Sequence, residues 1–241
     1  MLWVDKYRPK TLHQLSYHPE ITVRLERFAA DPESLPHILV YGPPGSGKKT
    51  RVTTLLRAIY GNGIEKLRLD SRTFTTPTGK SVEVKLISSN HHVEMSPGDA
   101  GLNDRFVVQE VIKEMASNRN LNAATTSKNS SADYKVVVLV AVDQLTKQAQ
   151  AALRRTMEKY AVGCRLILLC NNPSKVIDPV RSRCLGIRIA APSHDDVSYN
   201  FVKFYLLSQQ INIPDVYTAF HRSVMYYKIL HGKRMLHFPM S

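Results

Sequence analysis

The sequence contains few cysteines, relatively few acidic residues and no long apolar run. Its three cysteines, Cys164, Cys170 and Cys184, are scattered, and no cysteine or histidine spacing is typical of a zinc site. No apolar stretch reaches the roughly 20 residues that a membrane-spanning helix needs. The first residues, MLWVDKYRPK, place charges and a proline where a signal peptide is apolar. These absences predict an intracellular protein with reduced thiols, no metal site and no membrane partner.

The deficit of acidic residues leaves the chain strongly basic. Lysine and arginine total 33, aspartate and glutamate total 20, and the net charge is +13 with a pI near 9.7. Such a balance favours a polyanionic partner, nucleic acid above all. Charge of this kind attracts the phosphate backbone and carries no information about base sequence.

Short apolar runs alternate with helical patterns over most of the 241 residues. The runs predict strands at 36–42, 81–88, 134–142, 164–172 and 183–192, and the patterns predict helices at 48–60, 104–116 and 145–160. This alternation predicts an α/β fold with a central parallel sheet flanked by helices. The polar segment 118–133 is expected to be a flexible surface loop, and the weak periodicity of 208–241 predicts no particular fold.

A glycine-rich segment, GPPGSGKKT, lies between the first predicted strand and the first predicted helix. Gly42, Gly47 and Lys48 satisfy the spacing of a phosphate-binding loop. Glycines let backbone N–H groups turn towards phosphate oxygens, and the start of the following helix adds a favourable dipole. The segment therefore predicts phosphate binding, with Lys48 neutralising phosphate charge.

Two parts of an ATP-hydrolysing site are missing from this pattern. Lys49 occupies the position of the hydroxyl that binds magnesium, and Thr50 comes one residue late. The buried strand that should end in a pair of acids ends instead in Val140 and Ala141, with Asp143 further along. The sequence therefore predicts a site that binds ATP or ADP with little use of Mg²⁺ and with little or no hydrolysis.

Five blocks in order, WVDKYRPK, GPPGSGKKT, AQAALRRTMEKY, CRLILLCNN and DPVRSRC, resemble the small subunits of replication factor C. This eukaryotic clamp loader is an AAA+ assembly that opens the sliding clamp and places it on primed DNA. The resemblance covers residues 1–197. It implies a nuclear protein of DNA replication and repair, an AAA+ nucleotide-binding domain at 1–192, and three kinds of partner: the other subunits of a hetero-pentamer, the sliding clamp and primer–template DNA.

The resemblance also implies roles for individual residues. Arg183, in the Ser-Arg-Cys motif, would be a trans arginine finger that reaches a neighbouring subunit's nucleotide, and Asn171 would be a polar sensor near the γ-phosphate. Arg154, Arg155 and Glu158 would lie at an intersubunit face. The implied nucleotide-binding positions are Val4, Tyr7, Arg8, Pro9, Gly42, Pro43, Pro44, Gly45, Ser46, Gly47, Lys48, Lys49, Thr50 and Asn171.

The chain departs from the family pattern in its acidic motif and after residue 197. Ser193 is suited to cap a first lid helix, but residues 193–241 otherwise resemble a short incomplete or divergent helical segment, with no collar domain. The expectation is therefore a C-terminally truncated subunit. Two alternatives stay open at this point: an autonomous AAA+ ATPase with an atypical site, and a fragment that does not assemble. Whether the chain is itself an enzyme also stays open.

Overall fold

The computed structural model describes residues 6–75, 81–117, 134–198 and 200. They fall into two units, Arg8–Ala191 and a second one that combines Met1–Tyr7 with Pro192–Ser241. The predicted loop 118–133 and the segment from 201 onwards lie outside the described residues. Within these limits, no helix is long and apolar enough to cross a membrane.

In the second unit, residues 194–198 and 200 are helical. The Ser193 hydroxyl accepts a hydrogen bond from the backbone N–H of Asp196 at 3.1 Å, and the Asp196 carboxylate accepts one from the Ser193 N–H at 3.0 Å. This reciprocal pair is a capping box, so the expected capping role of Ser193 is confirmed.

A seven-stranded sheet forms the centre of the unit Arg8–Ala191, in the order β2-β3-β4-β5-β6-β1-β7. Its strands are β1 (Ile38–Tyr41), β2 (Arg68–Thr75), β3 (Ser81–Ser88), β4 (His92–Met95), β5 (Lys135–Leu139), β6 (Cys164–Cys170) and β7 (Leu185–Arg188). Five neighbouring strands pair in parallel, in the order β4, β5, β6, β1 and β7, which confirms the predicted parallel sheet. The β2–β3 and β3–β4 pairs are antiparallel, an extension that the sequence did not predict.

Helices cover both faces of this sheet. They are α1 (Pro19–Ala30), α2 (Lys48–Tyr60), α3 (Asp104–Ser117), α4 (Lys147–Lys159) and the short α5 (Asp178–Arg181). The predicted helices correspond to α2, α3 and α4, whereas α1 and α5 were not predicted. The buried carboxylate of Asp104 joins α3 to α4, because it accepts hydrogen bonds from the backbone N–H and the hydroxyl of Thr146, the residue that caps α4.

Alternate residues of the central strands supply two separate hydrophobic cores. Along β5, Val137 and Leu139 join the core that contains α3 and α4, whereas Val136 and Val138 join the core that contains α1 and α2. A strand covered on both faces must be apolar at every position, which is why β5 and β6 are continuous apolar runs in the sequence. Because the five strands are parallel, the loops after β1, β5 and β6 lie at one edge of the sheet, where ligands of such folds bind.

Candidate functional site

Residues 42–47, between β1 and α2, form a tightly packed loop. Gly45 and Gly47 both have φ of 78°, in the left-handed region that favours glycine. A β-carbon on Gly47 would lie 2.3 Å from the hydroxyl oxygen of Tyr17, and one on Gly42 would lie 1.9 Å from the carbonyl oxygen of Ile189. Both positions therefore require glycine for lack of space.

The loop contains a buried polar atom that points to a ligand. The Ser46 hydroxyl is buried and has no hydrogen-bond partner among the described residues. An unpaired buried hydroxyl is costly, and a phosphate oxygen is a suitable acceptor for it. The glycines, the buried hydroxyl and the start of α2 together fit a phosphate group, as the spacing predicted.

Lys48, the first residue of α2, folds back over the loop. Its ammonium donates hydrogen bonds to the carbonyl oxygens of Gly42 at 2.8 Å and Pro43 at 2.7 Å. Burial lowers the pKa of Lys48 below its ordinary value, and the nearby Cys170 and Asp143 side chains oppose that shift. The ammonium is thus positioned at the loop where the sequence placed it.

Lys49 and Thr50 point to different partners. The Lys49 ammonium forms an ion pair with the carboxylate of Glu94 on β4. The Thr50 hydroxyl accepts a hydrogen bond from the guanidinium of Arg8 at 3.3 Å. Lys49 therefore occupies the hydroxyl position of an ordinary phosphate loop and is itself paired with an acid from the sheet.

The central strands that end beside the loop do not supply the expected magnesium-handling acids. Val140 and Ala141 follow β5, and Ala141 has a left-handed backbone with φ of 56°. The carboxylate of Asp143 accepts a hydrogen bond from the backbone N–H of Asn171 at 3.4 Å, so the two lie together beside the loop. Asn171 follows β6, and the Cys170 carbonyl accepts a hydrogen bond from the N–H of Gly42. The position of Asn171 suits the sensor role, which stays a prediction.

A magnesium ion does not fit these residues well. An ammonium stands where its hydroxyl ligand should be, and apolar side chains stand where its acids should be. Among the described residues, no group of three or more histidine, cysteine or acidic side chains could hold a metal ion. These positions therefore do not offer the ligands that a phosphate loop ordinarily supplies to magnesium.

Arg183 and two of the three residues expected at an intersubunit face form one network. Nε of Arg183 lies 2.6 Å from Oε1 of Glu158, and Nε of Arg154 lies 3.7 Å from the same oxygen. The Arg183 guanidinium also donates to the carbonyl oxygen of Pro179 at 2.8 Å. Arg155 is exposed on α4, and no contact of its side chain is described. The network holds Arg183 at the protein surface.

Four of the expected nucleotide-binding residues, Val4, Tyr7, Arg8 and Pro9, precede the phosphate loop in the sequence. Val4 lies outside the described residues, and Tyr7 belongs to the second unit. Arg8 and Pro9 begin the first unit, and Arg8 contacts Thr50. The expected nucleotide contacts of these four residues therefore stay predictions.

Sequence reasoning missed the side chains that support the loop from behind. The guanidinium of Arg51, 1% exposed, donates to the Thr22 hydroxyl at 3.2 Å and to the Tyr17 carbonyl, and lies over the Tyr17 ring at 5.1 Å. The Tyr17 hydroxyl in turn donates to the Ser46 carbonyl at 3.3 Å. An arginine beside the apolar positions of α2 was the available signal. Glu94 was missed because its four-residue strand was not predicted.

The fold and the loop define a class of protein. The chain is similar to two solved variants of RuvB from Thermotoga maritima, with TM-scores of 0.52 and 0.53 and identities of 15% and 16%. Each comparison covers 86% of this chain and 56% of the RuvB chain. At such identity the likeness concerns the fold alone. That fold, with a phosphate loop between β1 and α2, is the P-loop domain of AAA+ proteins.

The chain belongs to the family described as DNA polymerase III, delta subunit, whose model matches residues 17–193. It is 52% identical over 198 residues to replication factor C subunit 3 of Homo sapiens, which covers 82% of this chain and 54% of that protein. It is 47% identical over 222 residues to replication factor C subunit 5 of Oryza sativa subsp. japonica, covering 91% of this chain and 61% of that protein. The expected resemblance to replication factor C subunits is confirmed, although the chain spans only about half the length of the human relative.

Proposed function

We propose that the chain is a nucleotide-binding subunit of a DNA clamp loader, the assembly that opens a ring-shaped clamp and places it on primer–template DNA. It binds ATP or ADP, hydrolyses neither at a useful rate, and contributes Arg183 to the nucleotide site of a neighbouring subunit. The observation that carries the proposal is a complete phosphate loop whose magnesium-handling positions hold Lys49, Val140 and Ala141. A loop that retains the cradle and lacks these parts is suited to binding without turnover.

Two further observations support the assembly role. Arg183 is held at the surface by Glu158 and by the Pro179 carbonyl, so its guanidinium is oriented before any neighbour arrives. An arginine offered in trans stabilises the charge that develops on a transferred phosphoryl group. The net charge of +13 suits a subunit of an assembly that follows the phosphate backbone of DNA, and we propose that it works in the nucleus, in replication and repair.

Co-expression with the other four clamp-loader subunits of the same organism tests this proposal. We expect the chain to purify with them and to release ATP or ADP when the complex is denatured. The matched control is Lys48→Ala, which should still allow co-purification and should lower the nucleotide content. Failure of the unaltered chain to purify with any of the four subunits would contradict the assembly role, and the absence of nucleotide would contradict the binding role.

A further inference from the structure

The ion pair between Lys49 and Glu94 joins the start of α2 to the sheet. Glu94 is a residue of β4, and its side chain is 15% exposed, whereas that of Lys49 is 53% exposed. A carboxylate buried to this extent needs a cation, because an unpaired charge in such surroundings is strongly unfavourable. Lys49 supplies that cation from the position where a phosphate loop ordinarily carries a hydroxyl.

The register of the sheet places Glu94 near the missing acid. Glu94 lies opposite Val138 in the parallel β4–β5 pair, and Val140 follows two residues later on the same face of β5. Val138 and Val140 both contact the core that contains α2, so this is the face towards the phosphate loop. In an ordinary site the acid would project from position 140. In this chain the acid is Glu94, on the neighbouring strand β4 and opposite position 138 instead of 140. The longer side chain of glutamate extends its reach.

We infer that the Lys49–Glu94 ion pair replaces the hydroxyl–metal–acid link of an ordinary phosphate loop. Glu94 is a positioning residue: it holds the ammonium of Lys49 beside the loop as a fixed cation, so the ligand of this site is a nucleotide without its magnesium ion. This inference rests on the proposed nucleotide binding and specifies the form of the ligand.

The contacts of the two lysines predict that a single substitution on β4 affects the loop. Lys49 follows Lys48 directly, and Lys48 donates to the Gly42 and Pro43 carbonyls, so the two lysines share one turn of α2. Release of Lys49 from Glu94 frees the first turn of α2 at the end that faces the phosphates. If Glu94 acted only through its negative charge, its removal would strengthen the binding of an anionic ligand. If Glu94 positions Lys49, its removal weakens that binding. The direction of the change in affinity therefore separates the two roles.

The test is a titration of the purified chain with the fluorescent analogues mant-ATP and mant-ADP, in Mg²⁺ and in EDTA. We expect the dissociation constants of the unaltered chain in the two buffers to agree within about threefold. Glu94→Gln and Lys49→Met should each weaken binding about tenfold in both buffers, as expected for loss of one partner of a partly buried charge pair. The double variant should be no weaker than either single variant, because the two residues act as one link.

The chain offers a matched control in the ion pair of Arg72 and Glu114, whose carboxylate is more exposed than that of Glu94. Glu114→Gln removes an acid of the same type and should leave binding unchanged. Glu94→Asp keeps the charge and withdraws the carboxylate by one methylene, so it provides a second variant if Glu94→Gln does not fold. It should also weaken binding, and unchanged binding by this variant would contradict the positioning role.

The remaining outcomes separate the inference from the proposed function. Binding by Glu94→Gln that equals or exceeds that of the unaltered chain overturns the positioning role. Binding by the unaltered chain that is more than about tenfold tighter in Mg²⁺ overturns the metal-free ligand. If the unaltered chain binds neither analogue in either buffer, the proposed nucleotide site itself is wrong.

Discussion

Arg183 and Glu158 form a two-point contact: both Nε and Nη2 of the guanidinium lie 2.6 Å from the same carboxylate oxygen. Glu158 lies on α4, and Arg183 follows α5, so the contact joins two elements that are separate in sequence. The third nitrogen, Nη1, donates to the Pro179 carbonyl at 2.8 Å. A planar guanidinium fixed at all three nitrogens loses little further freedom when it meets a phosphate.

Replacement of Arg183 should therefore lower ATP hydrolysis at the nucleotide site of a neighbouring subunit and leave the nucleotide site of this chain unaffected. In a reconstituted clamp loader, Arg183→Ala should lower DNA-stimulated ATP hydrolysis by at least about tenfold, since arginine fingers contribute about 10³–10⁵ to the rate at a single site. Arg183→Lys should restore little, because a point-charge ammonium does not reproduce the planar fork. The nucleotide affinity of this chain should not change.

Arg181 provides the control for that experiment. It is an exposed arginine two residues away, paired with Asp178, and Arg181→Ala should leave ATP hydrolysis unaffected. Full DNA-stimulated activity of the Arg183→Ala complex would show that the trans assignment is wrong.

The isolated chain should not hydrolyse ATP at a measurable rate. Ala141 occupies the position where the general base is expected, and general-base catalysis alone contributes about 10²–10⁴-fold. Ala141→Glu should not restore turnover, because Lys49 still occupies the hydroxyl position. Release of inorganic phosphate by Ala141→Glu should match that of Lys48→Ala, which sets the background. Rapid multiple-turnover hydrolysis by the unaltered chain would refute this expectation.

Gly47→Ala should destabilise the chain and weaken nucleotide binding. The substitution places a β-carbon 2.3 Å from the Tyr17 hydroxyl and adds the strain of a left-handed backbone, which costs about 1–2 kcal/mol by itself. Tyr17→Phe in the same chain removes the obstructing oxygen and should recover part of the loss. Urea denaturation and mant-ATP titration measure the two effects.

Gly45→Ala is the control for the backbone strain in the urea measurement. Gly45 has the same φ of 78°, and a β-carbon there would meet nothing within 4 Å. The difference between the two alanine variants therefore isolates the contact with Tyr17. Equal losses for both variants would mean that Tyr17 does not constrain the loop.

His92 should make stability fall as pH falls. Burial lowers its pKa to about 4, with smaller contributions from the charges of His91 and Lys49, and Nδ1 lies 2.7 Å from the Ser89 hydroxyl. His92 in the unfolded chain binds a proton near the ordinary histidine pKa of 6.5, whereas in the folded chain it does so only near pH 4. The contribution of neutral His92 to the free energy of unfolding is therefore fully present above pH 6.5 and is lost as the pH falls towards 4. The full difference is roughly 3 kcal/mol for this group.

Denaturation between pH 7.5 and 5 checks that expectation. His92→Gln should reduce the slope of unfolding free energy against pH, because one titrating group is removed. An unaltered slope in the His92 variant would mean that the buried ring does not control stability in this range.

The sequence predicted the parts of the fold whose signal is local. β1, β5 and β6 are continuous apolar runs because they are covered on both faces, and α2, α3 and α4 show a helical apolar stripe. β4 has only four residues, and its polar members His92 and Glu94 hide its burial. β2 exposes alternate residues and pairs only at the sheet edge, so no apolar run marks it.

The site divides in the same way. The phosphate loop and the lysines are contiguous in sequence, so their spacing predicts the geometry. Glu94 is 45 residues from Lys49, Tyr17 is 29 residues from Ser46, and Arg51 is 34 residues from the Tyr17 carbonyl that it contacts. Only tertiary structure forms these contacts. Long-range ion pairs and buried arginines have no local periodicity, which is why sequence reasoning missed them.

Gly42 and Gly47, the two crowded glycines of the phosphate loop, differ in whether a second substitution can compensate for their replacement. At position 47 the obstacle is the end of one side chain. A substitution that shortens residue 17 removes this contact, so changes at positions 17 and 47 can compensate each other. At position 42 the obstacle is the backbone oxygen of residue 189, which all twenty amino acids present. No partner mutation removes it, so a mutation of this codon away from glycine has no compensating change at 189.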